Sequence, residues 1–244
     1  MKLEGTCDWR ALGFGDERLA ACVTLSRGQL RLEGQAIVIN ADAEPARIHG
    51  WRHERLAPMS SVQLRDVTID APANLLVLAA SAEPDHVGIP DNPSWTRFRN
   101  GDRPIDLWRS PREVIGEAQI DIERLRVPEA RPREAGARRH RFEVAVNLWF
   151  APAGTHCLIH REHAFIEIHS QIAGIGHMQK FRTQDPASLY EDIALAPGAT
   201  TEQPFCVVDD TGVPSYPWHQ YFAESDCIWL AIEYHPLMEN NGHA

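Results

Sequence analysis

Polar and apolar residues alternate one for one through much of this 244-residue chain. The pattern is cleanest over Phe142–Phe150 (Phe-Glu-Val-Ala-Val-Asn-Leu-Trp-Phe) and over Ile166–Ile172 (Ile-Glu-Ile-His-Ser-Gln-Ile). A period of two marks a strand, whose successive side chains point to opposite faces. Strand-like segments recur at about 28–39, 61–70, 74–80, 117–127, 141–150, 155–162, 164–173, 176–182, 189–195, 203–208 and 227–234. Gly and Pro punctuate them as turns. No long helical period appears, and Gly13–Cys22 holds a short helix at most. Many short strands between Gly/Pro turns predict an all-β sandwich or barrel. Residues 83–115, rich in Pro, Asp, Asn and Trp, are predicted to form a linker or long loop.

Length allows one large β domain or two small ones, and 43% hydrophobic residues suits a globular core. The longest apolar run, Leu75–Ala80, falls far short of a membrane span, and no signal-peptide pattern opens the chain. Five cysteines, odd in number and without Cys-x-x-Cys spacing, favour free thiols in a reducing cytoplasm. A net charge of −10 argues against a nucleic-acid partner. Against that balance, Arg124, Arg126, Arg131, Arg133, Arg138, Arg139 and Arg141 crowd together around Pro128 and Pro132. They read as a solvated connection, or else as a steering patch for an anionic substrate or a dimer contact. A homodimer is the expected assembly, with no membrane partner.

The chemistry concentrates between Gly154 and Gly174. Four imidazoles (His156, His160, His163, His169) and two carboxylates (Glu162, Glu167) lie between these glycines, and Pro217-Trp218-His219 adds a further imidazole. Imidazole plus carboxylate suits first-row divalent metals. On a strand, His156, Leu158, His160 and Glu162 share one face, and Glu167, His169, Gln171 and Ala173 share a face of the next. Two antiparallel strands then aim His160, Glu162 and Glu167 at one point, and His219 completes the set. His163 joins only if a bulge re-aims it. The spacing of His160, His163 and Glu167 also fits one helix face, but the alternating flanks and glycine turns argue for strands.

The spacing Gly154, His160, Glu167, Gly174 resembles the first motif of the cupin family, Gly-x5-His-x-His-x(3–4)-Glu-x6-Gly. Glu162 occupies the slot of the family's second His, with His163 one position later. Ala196–Ala199 looks like the opening of the second cupin motif and Tyr216–His219 like its close, ahead of the strand Cys227–Tyr234. The resemblance covers roughly the last half of the chain. It implies a cupin-like jelly roll, a double-stranded β-helix, over 116–244. Residues 1–115 are then either a degenerate second barrel or extra strands of the first. Metal ligands are implied among His160, Glu162, His163, Glu167 and His219, with His169, Gln171, Trp218 and Tyr221 lining a substrate pocket.

Three protein ligands would leave open positions, and two His plus one carboxylate is the pattern of non-haem Fe(II) oxygenases. The expected function is therefore a metal-dependent dioxygenase acting on a small polar or aromatic molecule. Fe(II) is favoured, with Mn, Zn or Ni as alternatives, and Glu162 or Glu167 serves as the catalytic proton acceptor. A redox-neutral isomerase or lyase and a non-catalytic ligand-binding barrel stand as alternatives, separable by metal content.

Overall fold

The computed structural model describes residues 1–15, 19–50, 53–80, 88–100, 102–125, 139–201, 205–208 and 213–237. Within them no helix is long and apolar enough to cross a membrane. The regular elements are strands, joined by 3-10 turns at Ile122–Leu125 and Pro186–Ser188, so the chain is all-β as its alternation predicts.

The first half supplies β1 (Lys2–Gly5), β2 (Trp9–Ala11), β3 (Leu19–Thr24), β4 (Gly28–Asn40), β5 (Ala46–His49), β6 (His53–Leu56), β7 (Ser60–Ala71) and β8 (Leu75–Ala80). These eight form one sheet, ordered β2-β3-β8-β4-β7-β5-β6 with β1 also on β4. The second half supplies β9 (Thr96–Asn100), β10 (Arg103–Arg109), β11 (Glu113–Asp121), β12 (Arg139–Ala151), β13 (Ile166–Ala173), β14 (Gly176–Phe181), β15 (Leu189–Leu195), β16 (Val207–Val208), β17 (Pro214–Ser215), β18 (Trp218–Ala223) and β19 (Cys227–Pro236). A six-stranded sheet runs β13-β19-β12-β10-β9, with β11 also on β12, and a three-stranded sheet runs β15-β14-β18.

The six-stranded sheet lies between the other two. Phe142, Val144, Val146, Leu148 and Phe150 of β12, with Leu230 and Ile232 of β19, pack against Val23, Ile37, Ile39, Leu76 and Leu78 of the first sheet. The opposite face, through Trp229 and Cys227, meets Met178 and Tyr221 of the three-stranded sheet. Burial on both faces explains why Cys227–Tyr234 reads as a nearly unbroken apolar run rather than an alternating one. The polar inward positions of this sheet, Asn147, Glu167, His169, Gln171 and Glu233, are all buried, and they border the candidate site.

Several expectations change. Residues 96–100 and 103–109, read as part of a loop, form β9 and β10 of the six-stranded sheet, because Trp108 is buried in the core shared with the first sheet and Leu107 in the core shared with the three-stranded sheet. Of the helix expected at Gly13–Cys22, residues 19–22 belong to β3, where Ala21 and Cys22 pair with β8, and residues 16–18 lie outside the described set. The division expected at 115/116 falls within β11, and β9 and β10 join the sheet of the second half. Of the arginine cluster, Arg141 pairs with Glu117 and Arg139 is exposed. Arg126, Arg131, Arg133 and Arg138 lie outside the described residues.

Two glycines near the site differ in what they permit. Gly174 turns β13 into β14 with φ +73°, and a methyl there would stand 1.9 Å from the Asp226 carbonyl oxygen. Gly154 has φ +82° with open space around it. Gly154→Ala should therefore cost only the left-handed penalty, about 1 kcal/mol. Gly174→Ala adds a backbone clash and should cost about 3 kcal/mol or more. Urea unfolding of both variants tests this, and equal losses would show that the close approach to Asp226 is unimportant.

Candidate metal centre

The segment from Thr155 to His160 runs antiparallel beside β18 without becoming a regular strand. It makes isolated bridges, His156 to Phe222 and His160 to His219. Three residues lie between His156 and His160 but only two between His219 and Phe222, so the segment carries one residue too many for a flat ladder. Leu158 absorbs it with φ +84°, and the local geometry is that of a bulge. His160 and His219 then exchange two backbone hydrogen bonds of 2.9 Å each.

Beyond His160 the ladder ends, and the chain loops back through residues 161–165 before β13 begins. Strand alternation does not govern this stretch. That is the physical reason the sequence reading of Glu162 differs from the structure. Glu162 is exposed, whereas His163 turns inward. The reading of 155–162 as a continuous strand is corrected on the same ground.

One ring nitrogen from each of His160, His163 and His219 lies within 4.8 Å of the others. His163 Nε2 and His219 Nε2 stand 3.2 Å apart. His160 Nδ1 lies 3.0 Å from the Leu158 carbonyl, and His219 Nδ1 2.9 Å from the Pro217 carbonyl. Carbonyls only accept, so each Nδ1 carries a hydrogen, and in the neutral ring Nε2 is the nitrogen with the lone pair. Burial, reinforced by the neighbouring His160, lowers His163 to about 4. Burial first, then His160, lowers His219 to about 3. Both rings are therefore neutral at physiological pH. Converging neutral imidazoles with fixed tautomers are a donor set that fits a divalent transition metal.

The remaining expected residues surround this triad at different depths. Glu167 backs onto His163, its Oε2 3.7 Å from His163 Nδ1 and its Oε1 3.5 Å from His169 Nε2. Burial, and secondarily Glu233, raises Glu167 to about 8, so it holds a proton at neutral pH. His169 packs against Tyr221 at 4.2 Å between centroids, the rings tilted by 59°, and burial keeps it well below the ordinary histidine range. Gln171 is fully buried on the same strand face. Trp218 alternates to the side opposite His219, half-buried under the Arg161 guanidinium.

Residues not singled out in the sequence complete the surroundings. Tyr216 Oη accepts from Glu167 N at 2.8 Å and donates to the Phe165 carbonyl at 3.0 Å, pinning the loop that carries His163. Phe205 packs edge-on to His219 at 4.7 Å. Glu233 Oε2 receives Arg112 Nε at 3.2 Å and its Oε1 receives Asn147 Nδ2 at 2.9 Å. The available signal is positional: Asn147 and Glu233 interrupt the otherwise apolar stretches Val144–Phe150 and Cys227–Tyr234, each at an inward position.

No family model and no curated protein matches the chain. Solved structures do show likeness. A cupin 2 conserved barrel domain protein from Leptotrichia buccalis is 7% identical, over 94% of this chain and 89% of that one, with a TM-score of 0.29. An oxalate decarboxylase–formate complex from Lactobacillus farciminis is 11% identical, over 97% and 85%, with a TM-score of 0.32. An ectoine synthase from P. lautus is 18% identical, over 41% and 72%, with a TM-score of 0.26. At these identities and scores the likeness carries nothing about chemistry.

Tyr216→Phe removes the hydroxyl that serves both Glu167 N and Phe165 O. Leaving those buried backbone groups unpaired should cost about 2 kcal/mol of stability. It should also weaken metal affinity, because the His163 loop loses its tether. Urea unfolding and competition with a chelator read the two effects, and unchanged values would show that the tether is dispensable.

Proposed function

We propose that the chain is a divalent-metal-dependent enzyme acting on a small polar or aromatic molecule. His160, His163 and His219 hold the metal. The observation that carries this is the convergence of three ring nitrogens within 4.8 Å, two of the rings tied through Nδ1 to backbone carbonyls. The cupin-like spacing of Gly154, His160, Glu167 and Gly174 supports the same reading from sequence. When bound, the metal supplies a Lewis acid and, as Fe(II), a centre for dioxygen.

The chain's own residues do the rest. Three protein ligands leave positions open to a substrate. Phe165, Phe205 and Tyr216 crowd the histidine rings and exclude water from them. Glu167, carrying its proton at neutral pH and lying between His163 and His169, is placed to hold or release that proton on the buried side of the site. Glu162, exposed and apart from the triad, is not assigned a role.

Oxygenation by Fe(II) is the reaction we favour. A redox-neutral isomerase or lyase step with Mn, Zn or Ni is the second reading. It is supported by Glu167 itself, since a buried protonated carboxyl suits acid–base chemistry without dioxygen.

Elemental analysis of protein purified without a metal-chelating tag tests the centre. Near-stoichiometric metal is expected in the wild type, with at least a tenfold loss in His160→Ala, His163→Ala and His219→Ala. Glu162→Ala should stay within twofold of wild type. Metal retained in all three histidine variants would end the assignment. Iron in the native protein, with a nitrosyl electron-paramagnetic-resonance signal on adding nitric oxide to the Fe(II) form, supports oxygenation. Zinc or manganese without iron supports the second reading.

A further inference from the structure

A cavity of about 610 Å³ opens at the seam between the first sheet and one end of the six-stranded sheet. His160, His163 and His219 are not among its lining residues, and its volume suits a small molecule. The floor is apolar. Pro58 and Met59 come from the turn before β7, Ile120 from β11 and Leu125 from the 3-10 turn that follows it. Met59, Ile120 and Leu125 belong to the core that joins the two sheets. Here that core faces open volume, and an apolar hollow favours an apolar occupant over water.

Met59 marks this floor as a place of use. It adopts φ +57° and donates its backbone N–H to the Asn40 carbonyl at 2.8 Å. That left-handed backbone suits Gly or Asn better than a long side chain. Methionine is nevertheless held there, and it sets a flexible, polarizable side chain against the cavity. Backbone outliers of this kind gather at ligand sites. No aromatic side chain lines the cavity among the described residues. A planar ring therefore finds nothing to stack on, whereas an aliphatic chain can follow the floor.

Most polar groups of the wall are spent on the fold. Ser61 Oγ donates to the Gly198 carbonyl at 2.8 Å, and Thr200 Oγ1 lies 2.5 Å from Ser61 Oγ and 2.6 Å from Ser170 Oγ. Ser60 Oγ donates to the Ala57 carbonyl at 2.7 Å. Asp121 accepts from the Glu123 N–H at 3.2 Å, and although it stands opposite Arg139 in the β11–β12 ladder the two form no ion pair. Arg139 is exposed at the rim and has no ion-pair partner among the described residues. Gln119 lines the cavity from the same face of β11 as Asp121. The rim thus offers a guanidinium and an amide NH2, both donors, and a carboxylate accepts from both.

We propose that this cavity is a second small-molecule site, separate from the metal centre, and that it takes an unbranched aliphatic monocarboxylate. The tail lies on Pro58, Met59, Ile120 and Leu125, and the carboxylate meets Arg139 and Gln119 at the rim. Two signatures follow. Affinity rises with chain length, because each methylene carried onto the floor is worth about fourfold. Affinity also depends on the sign of the head group, by a smaller factor, because Arg139 is exposed and water screens it.

The test titrates the whole chain, labelled with ¹³C at the methionine methyls, with hexanoate, octanoate and octylamine. Met59 reports the cavity, and Met178, buried between the six-stranded and three-stranded sheets, serves as the internal control. Loss of one signal in Met59→Leu identifies the Met59 resonance. Octanoate should shift Met59 and leave Met178 in place, binding about tenfold more tightly than hexanoate and about threefold more tightly than octylamine. Arg139→Gln, at an exposed position, should weaken octanoate about threefold and remove its advantage over octylamine. No shift at Met59, an equal shift at Met178, or equal affinity for hexanoate and octanoate would overturn the site. Octylamine binding as tightly as octanoate, or octanoate unaffected by Arg139→Gln, would overturn the carboxylate assignment. No readout depends on metal content, so the result stands or falls independently of the histidine triad.

Discussion

The double-sided burial of the β12-β19-β13 ladder is the constraint on which the rest of the structure depends. Ten consecutive residue pairs join β12 to β19, and every residue of β13 is buried. A sheet with no solvent face cannot place polar residues without partners. One of its faces is accordingly apolar and merges with the first sheet. The other carries Asn147, Glu167, His169, Gln171 and Glu233, where Glu233 meets Arg112 and Asn147, Glu167 faces His169, and Gln171 donates to the Ala173 carbonyl. The separation of scaffold from chemistry is thus a property of two faces of the same strands.

The triad depends on that ladder at one remove. Glu167 opens β13 and presses against His163, while β18, on the facing sheet, delivers His219. Between them the Thr155–His160 segment is held by backbone bonds to β18 and by burial of Ile159 and, in part, Cys157. The histidines therefore sit where two sheets approach, each reaching the common point from a different element. Burial at that point does two opposite things. It keeps His163 and His219 neutral, which suits coordination, and it keeps Glu167 protonated, which suits proton exchange. Both follow from removing water and need no special residue.

Much of this was legible in the chain. The alternation of Phe142–Phe150 and Ile166–Ile172 specified strands and the face on which Glu167, His169 and Gln171 lie together. That His160 and His219 come together followed from imidazole density and from the turn before His219. The choice between Glu162 and His163 was not legible, because face arguments hold only within a ladder and the ladder stops at His160. Nor was the pairing of β9 and β10 with the six-stranded sheet. They fall within a stretch rich in Pro, Asp, Asn and Trp that reads as a loop, and only Leu107 and Trp108 reveal the contact. Tyr216 escaped notice because its work is a pair of backbone hydrogen bonds, which leave no trace in spacing.

The two i to i−2 contacts, His160 Nδ1 to the Leu158 carbonyl and His219 Nδ1 to the Pro217 carbonyl, bear on how such a centre can drift in evolution. Orientation by a main-chain oxygen is indifferent to the side chain attached to that residue. Positions 158 and 217 can change identity while the imidazoles keep their tautomers, so long as the backbone keeps its course. A divergent relative could then conserve the ligand geometry with little shared sequence around it. Its kinship would be visible in the path of the chain and hidden from any comparison of residues.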